Sequence, residues 1–123
     1  LLTTAGDVMR TEEMPVITPE MHLGEAIIQV SRGKLGLGIA ERNGEIAGLI
    51  TDGDIRRAME KWKAQFFDKT VADIMTTRPK TVSADTKISD VQKIMSRYKI
   101  HSVLVADKHN HLLGVVDHYS CMI

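Results

Sequence analysis

Residues 37–54 read Leu37-Gly-Ile-Ala-Glu-Arg-Asn43-Gly44-Glu-Ile-Ala-Gly48-Leu-Ile-Thr51-Asp52-Gly53-Asp54. Two short apolar runs, Leu37 to Glu41 and Glu45 to Ile50, flank Asn43-Gly44. Asn-Gly between apolar runs is the strongest short signal for a β-hairpin, because both turn positions need positive φ. After the hairpin, Ile55, Ala58, Met59 and Trp62 fall on one face of a helix. Thr51 stands at the N-cap position and Asp54 three residues on, where the acid of a capping box sits. Before the hairpin, Leu23, Ala26, Ile27 and Val30 follow helical spacing, and Gly33 and Gly36 end that helix. Pro15 to Thr18 precede it as an extended segment.

The same order of parts comes round a second time. Asp7-Val8-Met9 returns as Asp73-Ile74-Met75, Lys34-Leu35 as Lys99-Ile100, and Gly48 as Gly114, at spacings that agree to within one residue. The second copy has an extended Thr81-Val82-Ser83, then a helix with Ile88, Val91, Ile94 and Met95 on one face and Thr86 as its expected N-cap. Strands are expected over 102–106 and 112–116, joined through Lys108 to His111. Lys63 to Thr70 reads as the linker. After Asp117 there is room for only a short final helix. The unit is β-α-β-β-α, and one copy alone has little core, so two are expected to fold as a pair. The division read from the repeats is 1–66 and 67–123, in the α/β (α+β) class.

Composition narrows the function. Sixteen basic and sixteen acidic residues balance, so there is no excess positive charge for a nucleic-acid partner. No apolar run approaches the ~18 residues of a membrane span. The single cysteine, Cys121, cannot form an internal disulfide, which fits a cytoplasmic setting. The start at Leu1-Leu2 reads as a fragment of a longer chain. No nucleophile elbow, P-loop or zinc-ligand array is visible, so no catalytic residue and no metal site is assigned. His109 and His111 share a turn, and two histidines without a third ligand are ordinarily solvated.

The twofold β-α-β-β-α order, the Asp-Val-Met lead-in and Gly48-Leu-Ile-Thr51-Asp52-Gly53-Asp54 resemble CBS domains, which pair with pseudo-twofold symmetry as Bateman modules. Thr51 to Arg57 is similar to the first CBS repeat of bacterial arabinose-5-phosphate isomerases, in which a sugar-isomerase (SIS) domain precedes the pair. A comparable phrase occurs in CBS pairs of sugar nucleotidyltransferases. At its end the chain departs from the isomerase pattern, with Asp117-His118-Tyr119-Ser120-Cys121 where a His-Asp-Leu-like stretch is usual.

The resemblance implies a non-catalytic regulatory module of an enzyme of Kdo, lipopolysaccharide or capsule synthesis. It implies no cofactor, and a regulatory ligand such as an adenine or cytidine nucleotide or CMP-Kdo. Thr51, Asp52, Gly53 and Asp54 would hold phosphate and ribose, and Thr81, Val82, Ile100 and His101 would receive the base. It implies a homodimer formed through the helices, with Met59, Trp62 and Met95 at the seam, and a homo-oligomeric, tetrameric parent. Thr51 and Asp54 read equally well as a plain helix cap. The matching place in the second copy, Asp117 and Ser120, puts an acid where a phosphate would sit and lacks the ribose-binding carboxylate, so this second site is expected to bind no nucleotide phosphate, or at best a different ligand.

Overall fold

The computed structural model describes residues 2–122. The chain forms α1 (Ala5–Val8), β1 (Val16–Ile17), α2 (Leu23–Gly33), β2 (Leu37–Arg42), β3 (Glu45–Thr51) and α3 (Asp52–Trp62). A 3-10 turn (Lys63–Asp68) and α4 (Val71–Ile74) lead to β4 (Thr81–Val82), α5 (Ile88–Tyr98), β5 (Ser102–Ala106), β6 (Leu112–Asp117) and a last 3-10 turn (Ser120–Met122). There are two three-stranded sheets, β1-β2-β3 and β4-β5-β6, each with one parallel and one antiparallel pair. Both hairpins carry a register shift at the same relative place, after Ala40 and after Val105. Asn43 and Gly44 have φ of 55° and 80°, the turn that Asn-Gly requires. No described helix is long and apolar enough to cross a membrane.

The compact units divide the chain at 14/15 and 79/80: residues 15–79 form one, and residues 1–14 with 80–123 form the other. The stretch read as a linker is part of the first unit. Phe66 is 1% exposed there, in a core with Ile17, Leu23, Val30, Ile50 and Val71. The segment after it is tied to the first hairpin by Leu49 N–H to Thr76 O at 3.0 Å and Thr76 N–H to Leu49 O at 2.8 Å. The N-terminal segment does the same for the second hairpin, through Arg10 N–H to Val115 O at 2.8 Å and its return at 3.0 Å. Each hairpin edge thus gains a backbone partner from a segment far away in sequence.

Both lead-in segments contain a one-turn helix that the apolar pattern does not announce, α1 and α4. Thr86 is not the cap of α5. It lies in the preceding turn, its hydroxyl 3.1 Å from that of Ser83, and Lys87 takes the cap position. The helix faces are otherwise as spaced: Leu23, Ala26 and Val30 are buried on α2, and Ile88, Val91 and Met95 on α5.

The repeated Met and Gly explain each other. A Cβ on Gly48 would lie 2.6 Å from Met75 Sδ, and a Cβ on Gly114 would lie 2.7 Å from Met9 Sδ and 2.8 Å from the Arg10 carbonyl oxygen. Only a glycine lets the methionine and its backbone approach this closely. Gly114→Ala and Gly48→Ala are expected to destabilise their units by about 1–3 kcal/mol each through overpacking. Gly114→Ala is expected to cost more, because the Arg10 carbonyl oxygen stands 2.8 Å from its Cβ position, closer than the 3.0 Å of the Thr76 carbonyl oxygen at Gly48. Urea unfolding of the two variants measures the difference.

Candidate functional site

The end of β3 and the start of α3 bring Thr51 and Asp54 together. Asp54 N–H donates to Thr51 Oγ1 at 3.2 Å, and Thr51 N–H donates to Asp54 Oδ2 at 3.0 Å, a capping box closed in both directions. The other carboxylate oxygen, Oδ1, accepts from Arg57 Nη2 at 2.7 Å. The Asp54 side chain is 21% exposed, so the carboxylate is reachable while it holds the helix start. Gly53 lies beside the same guanidinium: a Cβ there would stand 3.1 Å from Arg57 Nη1, the far end of a flexible side chain.

Asp52 faces elsewhere. Its Oδ2 lies 3.2 Å from where a Gly36 Cβ would stand, and its N–H donates to the Gly36 carbonyl at 3.0 Å. The four residues read as one phosphate-and-ribose set therefore divide, Thr51 and Asp54 on one side and Asp52 on the other.

The same Thr-x-x-Asp device occurs at two further places. Thr4 N–H donates to Asp7 Oδ2 and Thr70 N–H to Asp73 Oδ2, both at 2.9 Å, opening α1 and α4. Thr51–Asp54 differs in heading a three-turn helix and in placing an arginine on its acid. At the matching place in the second copy, Asp117 Oδ1 accepts from Ser120 N–H and Ser120 Oγ–H, each at 2.8 Å. There the acid precedes the hydroxyl, so the polarity of the motif is reversed.

In the second unit, Thr81 is exposed on β4, paired with Leu104, whereas Val82 belongs to the buried core with Val103 and Val105. Ile100 is half-buried and His101 exposed, at the mouth of β5. His101 lies near a residue that the sequence reading left unassigned: the His101 and His118 rings are edge to face, with centroids 6.4 Å apart. The backbone explains this, since His118 N–H donates to the His101 carbonyl at 2.8 Å across the hairpin end. The pairing follows from strand register and is invisible in the spacing of the two histidines.

His109 and His111 are held in their turn by Asp107, whose Oδ1 accepts both backbone N–H groups at 2.9 Å. His111 Nδ1 lies 3.2 Å from Asp107 Oδ2, and the N–H donated by His111 leads the contacts that hold the Asp107 carboxyl below its usual range. Among the described residues no group of three metal-ligating side chains forms. Cys121 is buried, and burial first, then the Asp117 carboxylate, pushes its thiol up, away from the reactive thiolate. Met95, placed at a dimer seam by the family resemblance, is buried in the core of its own unit, whereas Met59 is 42% exposed. Trp62 packs partly on the first core, with Lys61 and Lys69 ammonium groups 5.0 and 4.8 Å from its ring centroid.

The CBS domain family model matches residues 5–61 and 71–122. The chain belongs to the CBS domain family. Its relatives include the "Probable arabinose 5-phosphate isomerase" of Haemophilus influenzae, 36% identical over 95% of this CBS pair and 34% of the relative. The arabinose 5-phosphate isomerase KpsF of Escherichia coli O6:H1 is 34% identical over 94% of the pair and 35% of its own length. The chain thus spans about a third of the length of the curated relatives it matches. Among solved structures it superposes on the CBS domain pair of protein MJ0100, in complex with 5′-methylthioadenosine and S-adenosyl-L-methionine, with a TM-score of 0.87. That pair is 24% identical and is matched over 99% of this chain and 94% of its own. CBSX2 in complex with AMP gives a TM-score of 0.82 at 22% identity, over 97% and 92% of the two chains. At such identities the likeness carries the fold.

The capping geometry makes a direct prediction. Thr51→Ala should lower stability by about 1 kcal/mol, the ordinary worth of an N-cap. Gly53→Ala should leave it within about 0.5 kcal/mol, because only the Arg57 tip must move. Thermal melts of the two variants beside the parent chain read both.

Proposed function

We propose that this CBS pair is the regulatory part of an arabinose 5-phosphate isomerase and that it binds a nucleotide or nucleotide-sugar at the start of α3. The observation that carries the reading is the Thr51–Gly53–Asp54 turn. A partly exposed carboxylate, a hydroxyl, a helix N-terminus and a side-chain-free backbone position converge there beside Arg57. A carboxylate of this kind accepts paired ribose hydroxyls. Helix N–H groups and a guanidinium favour phosphate. The relatives support the parent, since the matched arabinose 5-phosphate isomerases align with nearly the whole of this chain. The AMP and S-adenosyl-L-methionine complexes of like-folded pairs support an adenine nucleotide as the class to try first, with cytidine nucleotides and CMP-Kdo beside it.

In the bound state Arg57 would leave Asp54 Oδ1 to the ribose and turn to the phosphate. Ligand and arginine then compete for one carboxylate oxygen. Regulation of attached catalytic domains follows if the ligand binds two arrangements of the protein with different affinity. The parent would carry an upstream sugar-isomerase domain, work in the cytoplasm and assemble as a homo-oligomer.

Calorimetry with AMP, ADP, ATP and CMP-Kdo tests the site. Micromolar to millimolar binding by one of them, weakened at least about tenfold by Asp54→Ala, is the expected result, since a hydrogen bond to a charged group contributes about 1.5–3 kcal/mol. Equal binding by the variant removes Asp54 from the site. The exposed Met59 beside Trp62 supports a second reading, a ligand-independent dimer through α3. Light scattering should then give a dimer mass without nucleotide that falls to the monomer in Trp62→Glu.

A further inference from the structure

Each unit carries a groove beside its longer helix, of about 430 Å³ in the first and about 510 Å³ in the second. The seven lining positions of the first groove each have a counterpart in the second, which adds Ile100. Ser31 and Lys34 of the first groove match Ser96 and Lys99 of the second, at the end of α2 and of α5. Both lysines are left-handed C-caps, with φ of 57° and 54°. Gly36 matches His101, and Asp52 matches His118, and in each unit the second of the two donates its N–H to the carbonyl of the first, at 3.0 and 2.8 Å. Ile55 matches Cys121.

One backbone frame therefore holds opposite chemistry. In the first groove the lining holds one carboxylate, Asp52, as well as Lys34. In the second the carboxylate is replaced by an imidazole and the glycine by another. Lys99, His101, His118 and Ser96 then line the groove with buried Met95 and Cys121, and no carboxylate stands in the lining among the described residues. Lys99 makes no ion pair among the described residues. Asp117, next in sequence to His118, spends Oδ1 on Ser120.

We propose that the second groove binds a small phosphate monoester with a short carbon skeleton, and that the first does not. Lysine, imidazole N–H and hydroxyl donors suit the oxygens of a phosphate. The apolar floor suits the carbons, and the volume lies within the range of small-molecule sites. The groove takes in Ile100 and His101, which the family resemblance assigns to a nucleotide base, but none of the groups of the Thr51–Asp54 turn, and the Asp54→Ala background of the test keeps the two readings apart.

The test uses the whole chain carrying Asp54→Ala, with ribose 5-phosphate, inorganic phosphate and ribose as probes followed by amide chemical shifts. Ribose 5-phosphate should move the amides of Ser96, Lys99, His101 and His118 and leave those of Ser31, Lys34 and Asp52 in place. Inorganic phosphate should move the same set more weakly. His118→Asp, which copies the first groove, and Lys99→Ala should each weaken ribose 5-phosphate at least about tenfold while the melt stays near that of the parent, as loss of a charge-assisted hydrogen bond requires. No shifts, equal shifts in both grooves, equal shifts with ribose, or undiminished binding in a folded His118→Asp variant would each overturn the proposal.

Discussion

A methionine laid on a glycine sets the terms for this fold. Met75 on Gly48 and Met9 on Gly114 bring a distant chain segment to within van der Waals contact of a hairpin, and a two-way backbone bridge locks it there. An open hairpin edge leaves N–H and C=O groups unpaired, and a segment that covers it removes that liability. Each lead-in also caps its own short helix and contributes an alanine or valine, Ala5 or Val71, to the core of the unit it joins. The unit made of residues 1–14 and 80–123 is therefore discontinuous in sequence and cannot be completed until its first fourteen residues have come back to it. Such long-range closure costs chain entropy that only tight packing offsets.

This contact also shows how much of the fold the sequence reveals. The repeats, the helix faces and the strand order follow from periodicity and from Asn43-Gly44. The recurrence of Asp-Val-Met and of Gly48 and Gly114 is equally plain on the page, but its cause is not. Periodicity describes neighbours a few residues apart, whereas Met9 and Gly114 meet from opposite ends of the chain. For the same reason the segment with Phe66 reads as a linker although it is core, and α1 and α4, one turn each, are too short to show a face. The candidate site was half legible. The Thr-x-x-Asp spacing finds Thr51 with Asp54, since both positions lie within one turn. That Asp52 turns to Gly36, and that His118 stands against His101, depends on hairpin register, which spacing does not encode.

The threefold use of the Thr-x-x-Asp box bears on how a site arises from a cap. At Thr4 and Thr70 the box has a structural task, the acid accepting the N–H of the cap residue itself. At Thr51 the same atoms do that work, and Asp54 still has an oxygen to give, which Arg57 occupies. Capping and binding are therefore compatible here: the oxygen that holds the helix is not the oxygen that faces the arginine.

The two copies show what duplication leaves free to change. Residues that hold the frame recur in kind: the glycine under the methionine, the lysine at the left-handed cap, the register shift in the hairpin. Residues that face outward at the hairpin ends do not, and they change in charge rather than in size alone. Asp52 gives way to His118, and the Thr51–Asp54 order is reversed to Asp117–Ser120. A module whose halves were equivalent would present one ligand preference twice. With the frame fixed by buried contacts and the charge set by exposed ones, the halves can differ in what they accept without cost to the core, because the substitutions fall where solvent or ligand, not packing, meets the side chain.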